Sequence, residues 1–105
     1  MMAQTPRVVL VTGAAGGIGA AITHALVAAG HAVAAVDRDA AALDRLETSK
    51  RIHPFLIDVS SDGACQEAVA STVARFGRLD AVINNAGIGP SSPRTSRPRW
   101  IAGGR

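Results

Sequence analysis

The stretch Thr12-Gly13-Ala14-Ala15-Gly16-Gly17-Ile18-Gly19 stands between a run of β-branched residues and a run with helical spacing. Upstream, Arg7 to Val11 holds Val8, Val9, Leu10 and Val11 in succession, the pattern of a short strand buried on both faces. Downstream, Ile18, Ala21, Ile22, Ala25, Leu26 and Ala29 recur at helical intervals and Gly30 follows as a stop, which predicts one inward face of a helix. Glycines at a strand-to-helix turn permit a tight bend and a close backbone approach to a pyrophosphate, with the positive end of the helix facing the anion. A phosphate loop of the Walker type needs Lys and then Ser or Thr after its last glycine. Ile18 and Gly19 follow Gly17 instead, so that class is excluded.

Beyond this unit, strands and helices alternate. His31 to Val36 reads as a second strand, and Ala40 to about Ser49 as a helix with Asp39 as N-cap and Leu43 and Leu46 inward. Ile52 to Ile57 reads as a third strand, placed at a sheet edge by Pro54. Ser60, Ser61 and Asp62 offer N-caps for a helix to Phe76, with Val69, Val73 and Phe76 on its inner face and Gly77 closing it. Leu79 to Asn84 is a fourth strand. Such alternation implies parallel pairing through right-handed crossovers, an α/β layered sheet.

Asp37 lies 18 residues past Gly19, at the end of the second strand, where a dinucleotide-binding domain places the carboxylate that holds the adenosine ribose hydroxyls. A carboxylate there repels a 2′-phosphate. At ~4 Å and an effective dielectric of ~20 each like-charge pair costs about 4 kcal/mol, so Asp37 favours NAD over NADP, while the neighbouring Arg38 pulls the other way. The alternative role for Asp37, starting the helix at Ala40, is better filled by Asp39.

With these residues placed, residues Pro6 to Gly89 resemble the N-terminal half of the classical short-chain dehydrogenase/reductase family. Thr12, Gly13, Gly17 and Gly19 satisfy its glycine signature, with Ile18 inside it; Asp58 followed by Val59 fits its second mark, and Asn84-Asn85-Ala86-Gly87 its third. The resemblance implies a Rossmann-type doubly wound parallel sheet of about four strands and three helices, cut short of the full domain. It implies NAD as cofactor: Asp58 would bond the adenine amino group, and the Asn-Asn-Ala-Gly string would steady the sheet and line the ribose and nicotinamide side of the cleft. The function it implies is hydride transfer between NAD and an alcohol or carbonyl substrate.

Composition sets the limit on that function. The 105 residues contain no tyrosine, and Lys50 is the single lysine. The family's hydride chemistry uses a serine, a tyrosine and a lysine four residues later, all in the second half of the domain, and none can be carried over. No catalytic residue is therefore assigned. The family's substrate loop, later strands and oligomerisation helices are likewise unmatched. Residues 90–105, rich in Pro, Ser, Arg and Gly without a period, read as a disordered tail. Its abrupt composition is that of out-of-frame translation of a GC-rich gene, so the chain is expected to be a frameshifted or truncated remnant that is inactive alone. The competing readings are a non-catalytic nucleotide-binding half-domain and a product that does not fold stably.

Other partner classes fare worse. The formal charge of +3 belongs to the tail: up to Gly89, 7 basic residues stand against 8 acidic ones, a net of −1, and Arg94, Arg97, Arg99 and Arg105 supply the rest. That argues against a nucleic-acid surface on the domain, and Trp100 alone makes no stacking platform. Val8 to Val36 is 29 residues without Asp, Glu, Lys or Arg, but five glycines and two histidines make it a poor membrane span. Arg7 and the short apolar run after it make no secretory signal, and the lone Cys65 suits a reducing compartment; a cytoplasmic location is expected. Cys65 reads as a small apolar residue, and His24, His31 and His53 lack metal-ligand spacing, so no metal is expected.

Overall fold

A computed structural model of the chain describes residues 6–46 and 49–86. Gly87 and the tail from 90 to 105, with the expectations attached to them, lie outside those residues. Within them the order is β1 (Val8–Thr12), α1 (Gly17–Ala28), β2 (Ala32–Asp37), α2 (Ala40–Arg45), β3 (Ile52–Leu56), α3 (Ala64–Phe76) and β4 (Ala81–Asn84).

The four strands form one parallel sheet in the order β3-β2-β1-β4. The chain runs outward through β1, β2 and β3, then crosses back over two strands to lay β4 on the other side of β1. Right-handed connections that travel in opposite directions place their helices on opposite faces, and the packing follows. Val9, Val11, Val33, Ala35 and Ile52 form one face of the sheet with Leu43, Leu46 and the α1 residues Ile22, Leu26 and Val27 against them. Leu10, Ala34 and Val36 form the other, covered by Ala68 and Phe76 of α3. Because both faces are covered, β1 is buried along its whole length, as its unbroken apolar run requires. Pro54 sits in β3, an edge strand among the described residues, where its missing N–H leaves no gap in a central ladder.

Helix ends follow local chemistry. Asp39 caps α2 by accepting from the Ala42 N–H at 3.1 Å. Gly30 (φ 97°) ends α1 in a Schellman motif, with the His31 N–H donating to the Leu26 carbonyl and the Gly30 N–H to that of Val27. Gly77 (φ 86°) closes α3.

Four expectations are corrected. The α1 face against the sheet is centred on Gly19 and Thr23, both buried, while Ile18, Ala21, Ala25 and Ala29 are exposed; the helix must approach the turn so closely that only small residues fit. The α3 inner face is Ala64, Ala68 and Thr72, with Phe76 packed beside them as expected and Val69 and Val73 exposed. α3 begins after Gly63 in the left-handed region, and not from a Ser60, Ser61 or Asp62 cap, because Asp58 has already drawn Ser60 and Ser61 into a turn. α2 stops at Arg45, where Leu46 turns to extended backbone.

Candidate functional site

The reversal of chain direction brings the C-terminal ends of β1 and β4 side by side, with Thr12 opposite Asn84 in register. Ligand crevices of open α/β sheets form at such switch points. Here the Thr12 hydroxyl is the hub: it donates to Asn84 Oδ1 at 2.9 Å and accepts from the Asn85 N–H at 3.0 Å and the Ala86 N–H at 3.1 Å. Asn85 returns the contact by donating its Nδ2 to the Gly13 carbonyl at 3.1 Å. The residue that ends β1 and the residues that follow β4 are thereby one unit.

The glycines divide into two kinds. Gly13 has φ 65°, and a Cβ there would lie 3.0 Å from the Ala86 Cα; a Cβ on Gly19 would overlap the Gly13 carbonyl oxygen. These two are required by packing of the turn against β4 and α1. Gly17, by contrast, has nothing among the described residues within 4 Å of its would-be Cβ, and Gly16 has only the Gly13 oxygen at 3.9 Å. Their lack of side chains answers no contact among the described residues; it leaves open backbone at the start of a helix. Gly16 is the N-cap of α1 in extended conformation, no side chain caps the helix, and its first turn contains no acidic residue. That end therefore presents main-chain N–H groups and positive dipole to whatever lies before it. Ile18 is 61% exposed in this first turn, an apolar surface beside the open backbone.

Asp37, at the end of β2, faces the same turn. Its Oδ2 accepts from the Ala15 N–H and its Oδ1 from the Asp39 N–H, both at 3.0 Å, and the Ala14 N–H donates to the Val36 carbonyl at 3.1 Å. Asp58, just past β3, accepts from the Ser60 hydroxyl at 2.6 Å and the Ser60 N–H at 3.0 Å. These bonds, the hydroxyl first, hold its carboxyl below the ordinary value of 3.8, with the positive charge of Arg38 a lesser aid and partial burial opposing. Arg38 is exposed and Val59 is half-buried against the α3-side core. Thr12, Gly13, Gly17, Ile18, Gly19, Asp37, Arg38, Asp58, Val59, Asn85 and Ala86 all stand at or just beyond the C-terminal ends of parallel strands. Gly87 lies outside the described residues.

The remaining candidates are structural. His31 Nδ1 accepts from the Arg7 N–H and His53 Nδ1 from Arg75 Nε, each at 3.1 Å. Burial pushes the Cys65 thiol up from its ordinary value, away from nucleophilic use. Among the described residues no group of three or more His, Cys, Asp or Glu could hold a metal ion, and no helix is long and apolar enough to cross a membrane. Two contacts escape a sequence reading: the bond from Ala15 to Asp37, and the carboxylate of Asp80 on the Val8 N–H at 2.8 Å. Neither has a sequence signal beyond an acid near a strand end.

Residues 7–100 match the family model described as short chain dehydrogenase. The chain is similar to the acetoacetyl-CoA reductase of Shinella zoogloeoides, 48% identical over 85 residues that make up 78% of this chain and 34% of that protein. Among solved structures it is similar to the 3-ketoacyl-(acyl-carrier-protein) reductase of Brucella melitensis complexed with NADH, at TM-score 0.74 and 30% identity over 91% of this chain and 41% of that one. It is also similar to an NAD+-bound xylitol dehydrogenase, at TM-score 0.71 and 39% identity over 78% of this chain and 34% of that one. The chain spans about a third of the length of the curated relatives it matches.

Proposed function

The chain belongs to the short-chain dehydrogenase family, and from that membership we propose that it holds the adenosine and pyrophosphate half of a nicotinamide dinucleotide, NAD in preference to NADP. The observation that carries this reading is the open backbone at Gly17 beside an uncapped helix start, at the switch point between β1 and β4. A diphosphate fits there because no side chain of the described residues fills the space and the nearby N–H groups suit an anion.

Each neighbour has a part. The main chain at Gly17, Ile18 and Gly19 receives the pyrophosphate, with Ile18 packing against the bound molecule. Asp37 accepts from the adenosine ribose hydroxyls: its two oxygens each have one partner and a carboxylate has about four acceptor positions, so capacity remains. Its charge opposes a 2′-phosphate, which Arg38 would favour. Asp58 and Val59 border the adenine, and Asn85, Ala86 and Gly87 border the ribose on the nicotinamide side, with Asn85 and Ala86 held by the Thr12 hydroxyl.

The full reaction of the family, in this reading, moves hydride between an alcohol or carbonyl substrate and NAD, which supplies the hydride acceptor when bound. This chain contributes binding and orientation. A proton-transferring tyrosine with its lysine partner is absent from its 105 residues, so the chain alone binds nucleotide and turns over nothing, and a cytoplasmic setting suits it. Thermal melting with and without NAD tests the binding: at ~100 times the dissociation constant a folded site gains roughly 2.7 kcal/mol. An unshifted melt rejects the reading, and NADH production by the purified chain rejects the inactivity.

A further inference from the structure

We propose that Asp37 is a positioning residue for the diphosphate, acting through the glycine turn and independently of any ribose hydroxyl. The inference rests on the dinucleotide reading above and goes beyond it. The Asp37 carboxylate bridges two main-chain N–H groups on different segments, Ala15 in the turn and Asp39 before α2, at 3.0 Å each. Directly beside it the Ala14 N–H is held by the Val36 carbonyl at 3.1 Å. Two successive residues of the turn are thus tied to the end of β2, just before the stretch of Gly16 and Gly17 that no side chain of the described residues packs against.

A loop of small residues with no side-chain packing has many conformations to lose on binding. A loop already fixed by its neighbours loses fewer, and the affinity saved appears whatever the ligand's sugar. Charged acceptors give the stronger main-chain hydrogen bonds, so the brace on Ala15 outweighs a neutral one. Electrostatics makes the claim easy to separate from its alternatives. Deleting a carboxylate near a bound diphosphate should by charge alone strengthen anion binding; the brace requires the opposite.

The probes are ADP and 2′,3′-dideoxy-ADP, which carries the diphosphate and adenine but no ribose hydroxyl, titrated into wild type, Asp37→Ala, Asp37→Asn and Asp39→Ala. Amide hydrogen exchange is followed in the ligand-free chains. Asp37→Ala is expected to speed exchange at Ala15 while Leu10 and Val11 stay protected, and to weaken dideoxy-ADP by about tenfold, or ~1.4 kcal/mol. Asp37→Asn, which keeps an amide oxygen as acceptor, should recover part of that loss. Asp39→Ala removes the α2 cap on Ala42 and a nearby negative charge but leaves the Ala15 bond to Asp37 in place, so it should not weaken dideoxy-ADP. Dideoxy-ADP binding that is unchanged or tighter in Asp37→Ala, with ADP alone weakened, overturns the brace and leaves the ribose role standing. Should Asp37→Ala lose protection at Leu10 and Val11 as well, Asp37→Asn carries the same test, and unchanged dideoxy-ADP affinity there overturns it. Failure of wild type to bind either nucleotide overturns the dinucleotide reading itself, and this proposal with it.

Discussion

At its C-terminal end the β1–β4 pair is joined by a neutral hydroxyl, that of Thr12, at 1% exposure and bonded to Asn84, Asn85 and Ala86. At its N-terminal end the same pair is joined by a carboxylate near the surface. Asp80 accepts from the Val8 N–H and from Arg78, both at 2.8 Å, and its own N–H donates to the Val8 carbonyl at 2.9 Å. The Arg78 side chain is 52% exposed and that of Asp80 23%. β4 is only four residues long and β1 is its one strand partner among the described residues, so both joints fix its register. The buried joint faces the candidate site and holds the strands together without an ionised group. The exposed joint can be ionic because solvent screens its charges.

Breaking the buried joint should have the largest effect. Thr12→Val removes the acceptor of two main-chain N–H groups in a part-buried setting, and each orphaned group costs about 1–3 kcal/mol. We expect a loss of about 2–6 kcal/mol in denaturant unfolding, together with loss of NAD-dependent stabilisation in a melt. Gly13→Ala strains the same joint by forcing a side chain into φ 65° with its Cβ 3.0 Å from the Ala86 Cα. A cost of about 1–3 kcal/mol follows, against little or none for Gly17→Ala, whose Cβ meets nothing. Equal unfolding midpoints for these two alanine variants would contradict the division of the glycines.

The exposed joint gives smaller, condition-dependent effects. Asp80→Asn should shift the melt by less than half of what Thr12→Val does, and added salt should narrow the gap to wild type because screening already weakens the pair. The bond to Arg78 holds the Asp80 carboxyl below the ordinary 3.8, with that to the Val8 N–H next, and the Ser60 bonds do the same for Asp58. Both are depressed in the folded chain, so their contribution is full above pH 3.8 and is lost as pH falls below it through the folded values. An acid titration of stability should therefore be less steep below pH 3.8 in Asp80→Asn, and keep the wild-type slope in Thr12→Val. Smallest and opposite in sign is Thr23→Val: the Thr23 hydroxyl is buried without a partner among the described residues, and its removal should stabilise by about 1 kcal/mol.

Much of this architecture was legible in the residues. The run Val8 to Val11, the glycine turn and the recurring strand–helix alternation led to the parallel sheet, and Asp39, Gly30 and Gly77 behave as the caps and stops their types suggest. Helix faces were misread where close approach matters more than apolar bulk. Gly19, Thr23, Ala68 and Thr72 are the buried centres of these faces, with Ile22, Leu26 and Phe76 packed beside them, whereas apolar bulk alone points also to Ile18, Val69 and Val73. In the candidate site, which residues gather at the strand ends could be read from the motif. How they are wired could not, since Thr12 reaches Asn85 across 73 residues and Asp37 reaches Ala15 across 22, and spacing carries no trace of such bonds.

Isothermal titration of the purified chain with NAD and with NADP, beside the Thr12→Val variant, tests the central claim most directly. Saturable binding of NAD, weaker binding of NADP and loss of both in Thr12→Val is the predicted result. No binding of NAD to a chain that melts cooperatively, or tighter binding of NADP than of NAD, would contradict it.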